Sequence, residues 1–179
     1  SAASDVYKRQ MKKYVFLAFF ALIAFVVKAQ DESGDLVKEG QQMPAFTIVN
    51  DNGTQVPSSS LKRKVILVNF FATWCPPCQK ELAEVQKMLW PKYKDNKDFV
   101  LLVIGREHTD VELQKYNEKK GFTFPLYPDK NRAIYGAFAK NLIPRSYLVD
   151  KTGKVVYATK GYSDEEFAEL MKRIEAALK

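Results

Sequence analysis

The sequence predicts an α/β domain in which a mixed central sheet carries helices on both faces. Three observations predict it. Residues 65–68 and 99–104 are unbroken apolar runs without the polar alternation of a half-exposed strand, which suits strands covered on both sides. Stretches between and after them repeat apolar residues at helical spacing. Near the C-terminus, two segments rich in β-branched and aromatic residues flank a Gly turn, which sends the chain back antiparallel. The implied order is β-α-β-α-β-β-α.

Taken in order, residues 43–49 read as a short strand, Asp51-Asn52-Gly53 as a turn and residues 54–56 as a hairpin partner. This makes an N-terminal β-hairpin extension ahead of the main sheet. Residues 57–60 are loop, with serines suited to a cap or turn. The strand at 65–68 leads into Phe70-Phe71-Ala72-Thr73-Trp74-Cys75-Pro76-Pro77-Cys78-Gln79-Lys80-Glu81, and Leu82, Val85, Met88 and Leu89 continue as the apolar stripe of a helix. Pro91 interrupts or ends that helix, since proline has no amide to donate and its ring crowds the carbonyl four residues back. Residues 92–98 form a solvated connection to the second buried strand. Residues 109–120 carry Asp110 and Glu112 early and Lys119 and Lys120 late, as a helix dipole prefers, and Gly121 stops the helix. Residues 124–127 are a short extended piece, and 131–140 a helix ending at Asn141. Strands at 146–150 and 155–159 flank the turn 151–154. Ser163 caps the last helix, Glu166 completes a capping box, and Phe167, Leu170, Met171, Ile174 and Leu178 cover a sheet face.

The chain has 179 residues and a formal charge of +7. That length suits one domain plus a leader. Five bases and one acid fall in residues 1–29, which leaves +3 for the rest. Such a balance is not a nucleic-acid footprint. Residues 1–10 precede Met11 and read as upstream sequence. Met11-Lys12-Lys13 and the apolar run 14–27 form a basic n-region and an h-region, and Val27-Lys28-Ala29 suits cleavage before Gln30. The apolar run is short for a bilayer span, which needs about 20 residues. The expectation is a cleaved signal peptide at 11–29, with a retained membrane anchor as the alternative. No lipoprotein cysteine follows the h-region. Residues 30–41 are polar and read as a flexible lead-in, and 42–179 as the domain. The domain is expected outside the cytoplasm, in the periplasm.

Cys75 and Cys78 are the two cysteines of the chain. A strand delivering C-x-x-C to the start of a helix is the geometry of a dithiol redox centre. Residues three apart share a helix face, so Cys75, Cys78 and Glu81 lie on one stripe. Cys75 sits at the helix mouth, where free N–H groups and the dipole favour a thiolate, the form that attacks disulfides. Cys78, a turn deeper, resolves the mixed disulfide. Pro76 and Pro77 fit the first turn but remove two amides that could hold the thiolate. A moderately depressed thiol pKa and a couple toward the reducing end follow.

These residues, with Ile143-Pro144-Arg145-Ser146-Tyr147-Leu148-Val149-Asp150-Lys151-Thr152-Gly153 downstream, resemble the TlpA/ResA-like branch of the thioredoxin superfamily. The resemblance runs from about residue 42 to the C-terminus. It implies a thioredoxin-like fold and an exported thiol-disulfide oxidoreductase whose only redox group is the Cys75–Cys78 disulfide, without cofactor or metal. It further implies a cis Pro144 facing the dithiol and, with Ile143, Trp74 and Pro76, receiving the substrate. Glu81 matches the acid this branch keeps near its cysteines. Asn69 stands where thioredoxin itself has a buried aspartate, so proton transfer for Cys78 moves to Glu81 or to water it holds. The implied partners are disulfide-bearing proteins, apocytochrome c among them, and a membrane thiol reductase as electron donor. No nucleic acid is implied, and the domain is expected to be a monomer.

Rival readings are weaker on the residues. A static disulfide usually closes a longer loop. A copper carrier of the same fold spaces its cysteines differently, and a closed zinc site wants four ligands. A non-catalytic binding domain would have lost the pair, and no peroxidatic motif leads into Cys75. His108, the single histidine, reads as an exposed loop residue, and Arg145 beside the proline reads equally as a substrate contact or as a solvent-exposed residue.

Overall fold

The computed structural model describes residues 34–50 and 52–179. The expected leader and upstream residues lie outside them. A five-stranded sheet runs in the order β5-β4-β3-β6-β7. Its strands are β3 (Val65–Phe71), β4 (Phe99–Arg106), β5 (Leu126–Asp129), β6 (Arg145–Val149) and β7 (Val155–Lys160). β3, β4 and β5 are parallel, while β6 and β7 run antiparallel. The separate hairpin, β1 (Thr47–Val49) with β2 (Gln55–Pro57), forms as the turn residues predict.

β3 is central and buried along its whole length. Its side chains alternate between two cores, as the period of a strand requires. Val65, Leu67 and Phe71 meet Cys78, Leu82, Leu113, Phe167 and Ile174 on one face. Ile66, Val68 and Phe70 meet Leu102, Tyr135, Phe138 and Tyr147 on the other. The first face is covered by α1 (Pro76–Glu84), α3 (Asp110–Lys120) and α5 (Asp164–Leu178), the second by the single turn α4 (Tyr135–Phe138). By the same parity Asn69 points toward α1.

Four local expectations change. α1 continues through a π-helical turn, Val85–Leu89, into α2 (Trp90–Tyr93). The amide of Trp90 reaches back to the Val85 carbonyl, so the ladder widens just ahead of Pro91 and accommodates it without ending the helix. The helix expected over 131–140 shrinks to α4 because the Asp129 carboxylate takes the amides of Ile134 and Tyr135. The loop expected over 57–60 divides, Pro57 ending β2 and Ser58–Leu61 forming a 3-10 turn, with the Ser58 hydroxyl accepting the Phe46 amide. Ser163 accepts the Glu166 amide, but the reciprocal half of the capping box belongs to α3, where Thr109 and Glu112 complete it.

Residues 34–41, expected to be a flexible lead-in, lie along the domain. Asp35 bridges to Ala139, the amides of Leu36 and Val37 both reach the Phe138 carbonyl, and Val37 is buried in the second core.

Candidate active site

β3 delivers its C-terminal end to Trp74 and Cys75, and α1 begins one residue later. Cys75 is the cap of that helix, with extended backbone, and its sulfur accepts the Cys78 amide at 3.3 Å. Pro76 and Pro77 occupy the first two helical positions, so Cys78 supplies the first amide of the helix that can reach the sulfur. The two cysteines are joined as a disulfide with Cα atoms 5.3 Å apart. Cys78 is fully buried and Cys75 nearly so, while Pro76 and Pro77 are exposed. The face beside them carries Trp74, 64% exposed, and Leu142, 59% exposed.

The opposite lip is the segment before β6. The Ile143–Pro144 peptide bond is cis, and the Cys75 sulfur lies 3.9 Å from the Ile143 carbonyl oxygen. The Tyr135 hydroxyl donates to the Leu142 carbonyl at 2.6 Å and fixes this lip from below. Arg106 stacks under Trp74 at 5.7 Å and over Tyr135 at 5.2 Å, linking the two lips.

Beneath the disulfide lies a buried polar triad. Glu81 follows Cys78 on the same face of α1 and is 3% exposed. The Asn69 amide donates to one Glu81 oxygen and the Ser146 hydroxyl to the other, each at 2.9 Å. Asn69 and Ser146 are register partners across β3 and β6, and Asn69 also donates to Ser146. Burial pushes the Glu81 carboxyl up to about 7, against the pull of the two hydrogen bonds and with a further push from Glu166. A carboxyl that titrates near neutrality beside a buried thiol can take and return its proton.

His108 is not an exposed loop residue. It is buried, and its Nε2 accepts the Thr73 amide at 3.0 Å, two residues before Cys75. The Gln79 side chain grips the Thr73 carbonyl at 2.9 Å from the other side. Burial lowers the His108 pKa and keeps the ring neutral, as an acceptor must be. Arg145 is also buried, because its guanidinium pairs with Asp35 and donates to the Asn141 carbonyl. It ties the lead-in to the proline segment. Sequence reasoning missed Ser146 and His108. The available signal for His108 was positional: Phe71 pairs with Gly105 in parallel register, so residues just past both strands meet at one sheet end.

A dithiol at the strand-to-helix junction, faced by a cis-proline edge and backed by a neutral-range carboxyl, defines a thiol-disulfide oxidoreductase. The comparisons agree. The Redoxin family model matches residues 38–175, and the chain belongs to that family. A thiol-disulfide oxidoreductase ResA of Bacillus thuringiensis is 33% identical over 127 residues, 71% of this chain and 72% of its own. A solution structure from Bacteroides thetaiotaomicron superposes with a TM-score of 0.77 at 38% identity, covering 81% of this chain and 92% of that one. A thioredoxin-family thiol:disulfide interchange protein of Chlorobium tepidum gives 0.61 at 28%, covering 80% and 99%. The thioredoxin-like fold and the ResA-like character read from the motifs are thereby established.

Proposed function

We propose that this oxidoreductase works outside the cytoplasm as a reductant of protein disulfides. The observation that carries the direction is the helix mouth. With prolines at both first positions, the Cys78 amide is the helix N–H reaching the Cys75 sulfur. A thiolate held by few donors leaves the reduced form weakly stabilised, and a strong oxidant needs the opposite. Cys75 attacks the substrate disulfide while Trp74, Pro76 and the Ile143–Pro144 edge hold the substrate chain. Cys78 then passes its proton to Glu81 and closes on Cys75, releasing the substrate as a thiol.

The resulting disulfide needs an electron source, and a membrane thiol reductase supplies that class of reaction. The likeness to ResA supports the disulfide form of apocytochrome c as the first substrate to test. The export signal read at residues 11–29 supports the location. The deciding experiment is the reduction potential of the Cys75–Cys78 couple in graded thiol buffers. A value nearer about −270 mV than about −120 mV is expected. A value at the oxidising end would make the protein a disulfide donor.

A further inference from the structure

Glu81 has a proton to dispose of and is shut away from bulk solvent. Its partners Asn69 and Ser146 are themselves buried and do not titrate. An opening lies beside it. A small cavity, on the scale of a single water molecule, is lined by Glu81, Thr159, Tyr162, Ser163 and Glu166. Glu166 stands at its outer side, in the first turn of α5, and is solvent-exposed.

We propose that Glu166 is the outer end of the proton path that serves Glu81, a positioning residue for the thiol-release half of the reaction. The inference rests on the reading of Glu81 as the base for Cys78. In that step the Cys78 thiol gives its proton to Glu81, and its sulfur attacks the Cys75 sulfur. The Cys75–Cys78 bond forms as the bond from Cys75 to the substrate sulfur breaks. The substrate leaves as a thiolate and is protonated from solvent. The proton left on Glu81 returns to solvent before the next turnover, and the cavity is the way out that the structure offers.

The groups around the cavity divide the work. The Tyr162 hydroxyl is committed to Asp164 at 2.6 Å, and burial and that carboxylate both raise its pKa, so it holds its proton. Asp164 is thereby engaged as well. Glu84, on the same helix as Glu81, adds negative charge near Tyr162. The Glu166 carboxylate does not fold back onto the Ser163 amide as a capping box would require; it lies 3.5 Å from the Ser163 hydroxyl. Its charge also strengthens Glu81 as a base.

The test uses the reduced full chain and the aromatic disulfide dithiobis(nitrobenzoate). The first thiolate released reports attack by Cys75, and the second reports closure by Cys78. Both phases are followed between about pH 5.5 and 8.5 in wild type, Glu166→Gln, Glu165→Gln and Glu81→Gln. Glu165→Gln removes the same charge from the same helical turn without touching the cavity. Glu166→Gln should move the midpoint of the second phase to lower pH with the first phase unchanged, and the proton appearing in solvent, followed with a pH-indicator dye in the same mixing experiment, should lag the second phase about threefold or more. Glu165→Gln should match wild type. If Glu166→Gln also matches wild type while Glu81→Gln slows the second phase, the proton path is wrong and the role of Glu81 stands. If Glu81→Gln leaves the second phase unchanged, the reading of Glu81 falls and this inference with it.

Discussion

Glu81→Gln separates the energetic cost of the buried carboxyl from its use. In the unfolded chain this group titrates at its ordinary 4.5; in the folded protein burial holds it at about 7. Between those pH values the folded state keeps a proton the unfolded state has lost. Stability therefore falls as pH rises through this window and is level above it, the reverse of the usual salt-bridged carboxylate. At 1.36 kcal/mol per pKa unit the loss is about 3 kcal/mol, a large share of the total for a domain of this size. Gln mimics the protonated acid: its carbonyl can accept from Asn69 and its amide can donate to Ser146. The variant should match wild type near pH 4 and exceed it by up to about 3 kcal/mol near pH 8. Urea unfolding of the oxidised protein at a series of pH values, followed by Trp74 and Trp90 fluorescence, measures the difference. A difference that does not change with pH would mean that Glu81 titrates as an ordinary carboxyl and would refute the reasoning.

Two other perturbations address the site's supports. Asp35→Asn takes the Asp35 carboxylate away from the buried Arg145 guanidinium and from Lys160, 3.0 Å away. It should cost on the order of 2 kcal/mol in urea unfolding, less than a fully buried pair because Asp35 is partly exposed. Trp74→Ala removes an exposed ring that stacks on Arg106 but fills no core. It should leave stability within about 0.5 kcal/mol and lower kcat/KM for a protein disulfide about tenfold, while a small aromatic disulfide reacts at nearly the wild-type rate.

What the sequence made legible and what it hid divide along one physical line. Features set by a few neighbouring residues were readable: the apolar run of β3, the C-x-x-C at a helix start, the Gly121 stop, and the hairpin around Gly153. Features set by a partner far along the chain were not. Glu81 finds Ser146 sixty-five residues away, Arg145 finds Asp35 at a separation of 110, and His108 finds Thr73 at 35. A polar side chain read alone defaults to solvent, because burying it unpaired would cost more than the fold could return. Each of these three is buried because its partner is supplied by another strand, by the turn after β3 or by the lead-in. The shortened α4 has the same cause, since Asp129 claims amides that a longer helix would have needed for itself. The paired polar groups cluster around one disulfide: Glu81 and Ser146 beneath it, His108 and Thr73 beside its approach, Arg145 behind the cis-proline lip. A core that hides this many polar groups next to one reactive bond holds that bond in place and keeps water from the thiol chemistry, which is what an exchange site needs from its scaffold.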